Sequence, residues 1–270
     1  MNTKRSGYLE TFFLLLIVAV LGIFLFWPTF ELALFGDDWG ALWNYQLLIT
    51  NSTNPIKHFF SLYGAQDILM GTLSKMFGYD GTGYYILSFL LRMFAAFSLY
   101  PLIIYFTKNK LAAFISTLVF ALTYVGLEAT NWVFNMNVYL AIALMNFSIY
   151  FLLISRIPLS LLSFGLAYIV APSRVTFLIL IVFVIDFIWG IKNKKFNFVL
   201  KRQMLFFLVF IFARFTGNYG IGYFSNLIQK NFLLGMYNIQ FLKRIFITLG
   251  SLIIPENFLS NRELGLLGIG

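Results

Sequence analysis

The hydrophobic positions of this chain form long stretches, and the polar positions cluster between them. A helix of about 20 apolar residues is enough to cross a bilayer core of roughly 30 Å. The pattern therefore predicts an all-α polytopic membrane protein with about seven transmembrane helices. The predicted spans are Leu9–Leu34, Tyr84–Phe106, Leu111–Leu127, Val138–Ile154, Ile157–Ala171, Val175–Ile191 and Phe198–Phe215.

The composition agrees with this pattern and excludes a soluble globular domain. Hydrophobic residues make up 60% of the chain and aromatic residues 20%, whereas charged residues make up only 11%. Soluble domains carry about 25% charged residues. Cysteine is absent, and His58 is the only histidine. Disulfides, thiolate metal sites and cysteine nucleophiles are therefore excluded. A single histidine is also too few for a multi-histidine metal site.

The distribution of lysine and arginine predicts the orientation. With the N-terminus inside, the predicted cytoplasmic segments are much richer in basic residues than the opposite loops, which is the positive-inside pattern. The net charge of +9 then reflects topology, and no nucleic-acid site is implied. Lys201 and Arg202 enter the seventh span and are expected to snorkel to its cytoplasmic end. The cytoplasmic residues are Lys4, Arg5, Lys108, Lys110, Arg156, Lys192, Lys194, Lys195, Lys201 and Arg202, against Lys57, Lys75 and Arg174 outside.

Two regions are expected to lie on the outer surface of the membrane. The outer loop 35–83 contains two amphipathic stretches, Ile56–Tyr63 and Ile68–Phe77, that are expected to lie in the interface. In the outer segment 216–262, charges interrupt the apolar part Asn226–Ile254, which favours an amphipathic helix over an eighth span. The last residues of the chain are apolar and resemble the start of another span. Residues 1–270 are therefore interpreted as a single transmembrane domain, the N-terminal part of a larger module.

Two adjacent carboxylates, Asp37 and Asp38, follow the first span. Trp27, Trp39 and Trp43 bracket them, as aromatic rings do at the level of the lipid headgroups. One interpretation is a catalytic or ion-binding site at the boundary between water and lipid. The alternative is a solvated turn, in which Asp38 caps the helix that begins near Trp39.

Further candidates collect on the same predicted face of the membrane. Arg92 lies about 12 Å deep in the second span, where a charge is costly and usually faces a cavity or a partner. It either holds an anion such as a phosphate, or it forms an internal ion pair or snorkels. Asp186, near the other face, is interpreted as structural. Carboxylate, amide and aromatic groups together suit sugar binding. The candidate substrate-binding residues are Glu128, Asn131, Trp132, Arg92, Arg174 and Arg214, with Asn135 and Asn137 in the same loop as Trp132.

Two short motifs carry a family resemblance. A first span followed by Gly36-Asp-Asp-Trp39 and a long outer loop resembles the GT-C membrane glycosyltransferases. The nearer likeness is to the bacterial relatives of the tetratricopeptide-bearing O-mannosyltransferase-like proteins. The run Phe120–Trp132, with its Glu-Ala and the Trp that follows, resembles the end of their third span. Tyr84–Tyr100 resembles their second span, and Val182–Asp186 resembles the end of their sixth.

The resemblance implies a glycosyltransferase of the bacterial plasma membrane. Its donor would be a sugar on a polyprenyl phosphate, and its acceptor a glycan, lipid or protein on the extracytoplasmic face. In this inverting reaction Asp37 or Asp38 takes the proton of the acceptor hydroxyl. Arg92, Arg174 or Arg214 stabilises the leaving phosphate.

A metal and two rival functions stay open. Paired carboxylates suit Mg²⁺ or Mn²⁺, so Asp37 and Asp38 are the candidate ligands if a metal takes part. The first rival is a transporter or flippase for a lipid-linked anion, which would also use buried arginines and outer carboxylates. The second is a non-catalytic membrane assembly protein.

Overall fold

The computed structural model describes residues 2–51, 54–59, 63–123, 132–171, 174–175, 178–193 and 196–215. Within these residues the secondary structure is helical, and no strand is formed. The predicted outer segment 216–262 lies outside them. The α-helices are α1 (Asn2–Phe26), α2 (Asp37–Thr50), α3 (Pro55–Phe59), α4 (Gly64–Phe77), α5 (Gly81–Thr107), α6 (Lys110–Leu122), α7 (Asn137–Leu153), α8 (Ile157–Val170), α9 (Leu178–Asn193) and α10 (Phe196–Phe215), with short 3-10 helices at Trp27–Glu31 and Val133–Asn135.

Three helical stretches are long and apolar enough to cross a bilayer: Leu9–Glu31, Gly81–Thr107 and Val133–Leu153. The shorter helices α6 and α8 are also apolar. Large apolar side chains stay exposed along the helices, among them Phe24 at 84% and Phe212 at 65%. Soluble monomers rarely leave extended apolar surfaces of this kind in water. These features are those of an integral membrane protein, and each predicted span overlaps one of the helices.

Capping residues set several of the helix ends. Asp80 caps α5 by accepting a hydrogen bond from Thr82 N at 3.2 Å. Asn109 caps α6 by accepting from the first backbone N–H groups of that helix. Between the two helices Lys108 adopts a left-handed conformation with φ of 55°, which ends α5. Helix α6 ends at Leu122, before the predicted limit of Leu127.

The helix bundle is built around α5, which packs against α6 on one side and α7 on the other. Helix α8 packs against α7 and α10, and α9 packs against α10. Asn146 Nδ2 donates to Ser98 Oγ at 2.9 Å between α7 and α5, so side-chain hydrogen bonds join the helices as well. Small residues at the helix contacts let the backbones approach closely. The described alanines with no exposed surface are Ala95, Ala96, Ala113, Ala121, Ala141, Ala143 and Ala167.

Arg202 corrects one expectation about the seventh predicted span. Its guanidinium does not snorkel but turns inward, and its side chain is only 5% exposed. Nε donates to Asp186 Oδ2 at 2.7 Å, Nη2 donates to Oδ1, and Gln203 Nε2 donates to Oδ2 at 2.7 Å. A buried charge needs this pairing because it has lost its hydration. The structural role predicted for Asp186 fits this contact.

Helices α2, α3 and α4 lie between α1 and α5 in the chain, and α2 packs against α4. The predicted amphipathic stretch Ile68–Phe77 is part of α4, whereas α3 covers only the first residues of Ile56–Tyr63. Side chains of α2, α4 and the first turns of α5 share one buried apolar cluster with Val133 and Met136. This end of the bundle, where α1 finishes and α5 and α7 begin, is here named the carboxylate end.

Candidate functional site

The two adjacent carboxylates at the start of α2 have opposite surroundings. Gly36 precedes them with φ of 57°, a left-handed conformation that glycine adopts at little cost, and turns the chain into the helix. Asp38 is 0% exposed, whereas Asp37 is exposed. Successive residues of an α-helix are about 100° apart around its axis. A helix that buries one member of the pair can therefore leave the other in solvent.

Asp38 joins the turn before α2 to the segment before α7. Its Oδ2 accepts from Phe35 N at 3.1 Å, and its Oδ1 accepts from Phe134 N at 2.7 Å. On the other side of the same residue, Gln66 Nε2 of α4 donates to Phe134 O at 3.1 Å. The N-cap of α2 is Gly36, and Asp38 lies inside the helix. The alternative of a solvated turn in which Asp38 caps a helix near Trp39 is therefore wrong, because Asp38 is buried inside a helix that begins before it.

Burial raises the pKa of the Asp38 carboxyl, because the charged form loses its hydration. The N–H groups of Phe35 and Phe134 lower this pKa, and the neighbouring charge of Asp37 raises it. Both oxygens of Asp38 are thus occupied by the protein. Asp37 is exposed and accepts no hydrogen bond within the part of the chain that the structure describes, so it is the member of the pair left for a ligand.

Trp132 lies against the turn that carries Asp37. Its ring stacks on Phe35 with the centroids 6.3 Å apart and the planes 22° apart. A Cβ atom built on Gly36 would lie 3.8 Å from the indole nitrogen Nε1. That nitrogen is buried and has no hydrogen-bond partner among the described residues. Because buried N–H groups are nearly always paired, it is a donor that a ligand beside Gly36 could use, which fits the predicted role of Trp132.

Exposed aromatic rings surround the same turn. The rings of Trp39 and Tyr79 are 5.7 Å apart, and Trp39 Nε1 donates to Leu34 O at 3.0 Å. Trp27 and Trp43 are also exposed, at 60% and 63%. Tryptophan and tyrosine rings with one polar and one apolar side are typical of the headgroup region of a membrane.

Two buried tyrosines support the site, and the sequence analysis missed them. Tyr84 Oη donates to Gly78 O at 2.8 Å, and Tyr85 Oη donates to Ala33 O at 2.9 Å. They tie the first turn of α5 to the turn after α4 and to the segment before α2. An adjacent tyrosine pair at the start of an apolar helix was the available signal, since a buried hydroxyl needs a partner.

Arg92 is fully buried in α5, and the end of α6 engages its donors. Nε donates to Ala121 O at 2.9 Å, Nη2 donates to Thr123 O, and Nη1 donates to the Tyr139 hydroxyl at 2.8 Å. The guanidinium also lies 4.7 Å from the centre of the Phe26 ring. The last carbonyls of a helix have no partner within it, and Arg92 supplies one. The described partners of Arg92 include two carbonyls and a hydroxyl, and its binding of an anion stays a prediction.

The remaining predicted residues differ in burial, and some of them lie outside the described part of the chain. Arg174 is exposed in the connection between α8 and α9. Asn137 is buried, and its Nδ2 donates to Val170 O at 2.7 Å, which joins α7 to the end of α8. Glu128 and Asn131 lie outside the described residues. Arg214 belongs to α10, but its side chain also lies outside them.

Binding of Mg²⁺ or Mn²⁺ by Asp37 and Asp38 stays a prediction. No three His, Cys, Asp or Glu side chains gather among them. Hard divalent cations take six or more oxygen ligands, and both oxygens of Asp38 already accept backbone N–H groups. No step of the chemistry below depends on a metal.

The described residues form an all-helical fold with three stretches that are long and apolar enough to cross a membrane, and they place an exposed aspartate on a fixed turn. Comparisons of the chain with protein-family models, curated proteins and solved structures find no match. The function is therefore argued from the residues themselves.

Proposed function

We propose that the protein is a GT-C type membrane glycosyltransferase that moves a sugar from a polyprenyl-phosphate donor to an acceptor on the extracytoplasmic face. The observation that carries the proposal is the arrangement of the aspartate pair. Asp38 is buried and fixes the turn, so that Asp37 is held in solvent at one end of an apolar bundle. The resemblance of Gly36–Trp39 to the GT-C motif supports the same function.

The proposed topology has about seven spans, with the N-terminus in the cytoplasm and the carboxylate end outside. The distribution of basic residues supports this orientation. A lipid-linked donor and a polar acceptor can meet only at the boundary between lipid and water. Exposed Trp27, Trp39 and Trp43 support the location of this end of the bundle at that boundary.

The proposed reaction is a single displacement with inversion at the anomeric carbon. The acceptor oxygen forms a bond to that carbon, and its proton passes to the carboxylate of Asp37. The bond from the carbon to the phosphate oxygen breaks, and its electron pair stays on the phosphate. Asp37 suits the role of base because its carboxylate is exposed and can contact the hydroxyl of an acceptor. Trp132 Nε1 and the surrounding rings would contact the sugar.

The test is transfer of a labelled sugar from a polyprenyl-phosphate donor by the purified protein in lipid. Asp37→Asn keeps the size of the side chain but removes the base, so the rate is expected to fall by about 10²–10⁴-fold. Folding is expected to be unchanged because Asp37 is exposed. Glu10→Gln, which removes an exposed carboxylate that pairs with Lys110 near the start of α6, is the matched control and should keep full activity. Full activity of Asp37→Asn would refute this assignment of the base.

A further inference from the structure

The carboxylate end contains a second pair of titratable side chains, which the aspartate pair does not use. His58 of α3 and Asp67 of α4 are joined by a hydrogen bond of 3.0 Å between Nε2 and Oδ2. The side chain of Asp67 is 3% exposed and that of His58 is 23% exposed. The carboxylate is therefore buried beneath an imidazole that reaches the surface.

The surroundings of Asp67 suit a carboxylate that orients the His58 imidazole. It lies in the first turn of α4, and its backbone N–H donates to Tyr63 O at 2.8 Å. Burial raises the pKa of its carboxyl, whereas His58 and Asn44 of α2 lower it. Its second oxygen, Oδ1, is buried without a hydrogen-bond partner among the described residues. Burial of a carboxylate is costly. The buried carboxylate of Asp67 fixes the orientation of the His58 imidazole through their hydrogen bond.

The imidazole keeps one nitrogen for a ligand. Nε2 is bonded to Asp67, and Nδ1 makes no hydrogen bond within the described part of the chain. In the charged form both ring nitrogens donate. Asp67 then supplies the counter-charge, and Nδ1 presents an N–H group to an anion.

This pair is close to the proposed active site in the fold. Gln66, the residue before Asp67, donates to Phe134 O, and Phe134 N donates to Asp38. A single residue of the segment before α7 thus links the first turn of α4 to the aspartate pair. The donors of Arg92 are meanwhile engaged by carbonyls and a hydroxyl. A leaving phosphate needs a hydrogen-bond donor, and Nδ1 of the protonated His58 ring is one.

We infer that His58, oriented by Asp67, binds through Nδ1 the phosphate of polyprenyl phosphate, the monoester that leaves when the sugar of the lipid-linked donor is transferred. The inference rests on the proposed function for the identity of that phosphate. His58 is then a hydrogen-bond donor to the departing phosphate oxygen, and no proton is transferred from it. An alternative role, in which the pair only holds α3 against α4, is an outcome that the test distinguishes.

The test uses the fact that His58 is the only histidine in the chain. Diethyl pyrocarbonate reacts with histidine to give absorbance at 240 nm, so the rate of this reaction reports one side chain, and His58→Gln sets the baseline. The protein is placed in phosphatidylcholine nanodiscs, with or without polyprenyl phosphate. At roughly ten times its dissociation constant the lipid should slow the reaction about tenfold, since only a small fraction of sites stays free.

Three controls define the ligand. Polyprenol, which lacks the phosphate, and phosphatidylglycerol, which carries a phosphodiester, should give no protection, while inorganic phosphate should protect at higher concentration. Asp67→Asn should react but lose most of the protection. Because only the unprotonated imidazole reacts, the rate is followed as the pH is raised. The inference is overturned if polyprenyl phosphate leaves the rate unchanged at every pH, or if polyprenol or phosphatidylglycerol protects equally.

Sugar transfer measured on the same preparation separates this inference from the proposed function. If polyprenyl phosphate protects His58 but no sugar is transferred, the proposed transferase activity is refuted and the phosphate site is retained. If sugar is transferred but polyprenyl phosphate does not protect His58, the proposed transferase activity stands and His58 does not bind the phosphate.

Discussion

At the scale of single residues, neighbours of the same type carry out different tasks. Asp37 and Asp38 are chemically identical, yet one is exposed and the other accepts two backbone N–H groups. The division depends on which side of α2 faces α4 and Phe134. A similar division holds among the arginines, because Arg92 is buried against carbonyls, Arg202 is buried against a carboxylate, and Arg174 is exposed.

Arg92→Met is predicted to destabilise the protein strongly. The substitution leaves the carbonyls of Ala121 and Thr123 and the hydroxyl of Tyr139 without their donor. Each buried group left unpaired costs about 1–3 kcal/mol, so the thermal unfolding midpoint in detergent should fall clearly. Arg174→Met is the matched control, because an exposed arginine should change stability by no more than about 0.5 kcal/mol. Equal midpoints for the two variants would show that Arg92 does not support α6.

At the scale of helices, the contact of α2 with α4 decides where the aspartate pair is held. Gly71 of α4 packs directly on the ring of Tyr45 of α2, and a Cβ at this position would overlap the ring. Lys75 of α4 lies 5.4 Å from the centre of the same ring. The two helices are thus fitted around one aromatic side chain, and Asp38 depends on their separation.

Gly71→Ala is predicted to destabilise the protein by about 1–3 kcal/mol, the usual cost of forcing an extra methyl group into a packed contact. Gly40→Ala in α2 is the control, because nothing lies within 4 Å of its added Cβ. Alanine is a better helix former than glycine, so this control should gain about 0.5–1 kcal/mol. Thermal unfolding of both variants provides the measurement. A gain in stability for Gly71→Ala would contradict the close packing of α2 on α4.

At the scale of the whole molecule, the proposed function requires that the carboxylate end lies outside the cell. The chain has no cysteine, so single cysteines can be introduced without a background. Asn51 follows α2 and is exposed, and Asn193 ends α9. An impermeant thiol reagent added to intact cells is expected to label Asn51→Cys and to leave Asn193→Cys unlabelled until the membrane is opened. The reverse pattern would overturn the orientation and with it the extracytoplasmic acceptor.

The local sequence determined the helices and the apolar character of the molecule. Runs such as Thr11–Phe30 carry no charge on any side, so they predict buried or lipid-facing helices without any knowledge of their neighbours. Caps such as Asp80 and Asn109 act within three residues, so they can also be read from the sequence. The candidate aspartate pair and Trp132 were found in the same way, from residue type and position along the chain.

Only the tertiary structure decided which groups are paired and which are left for a ligand. Asp38 meets Phe134, Arg92 meets Ala121, and Asp67 meets His58 through contacts between residues far apart in the chain or on separate helices. Hydrophobic periodicity contains no record of these contacts, because it reports burial and not the identity of the neighbour. The cost of burying a charge or a polar group selects the partner after the helices have packed. That selection assigned Arg202 to Asp186 and left Asp37 in solvent.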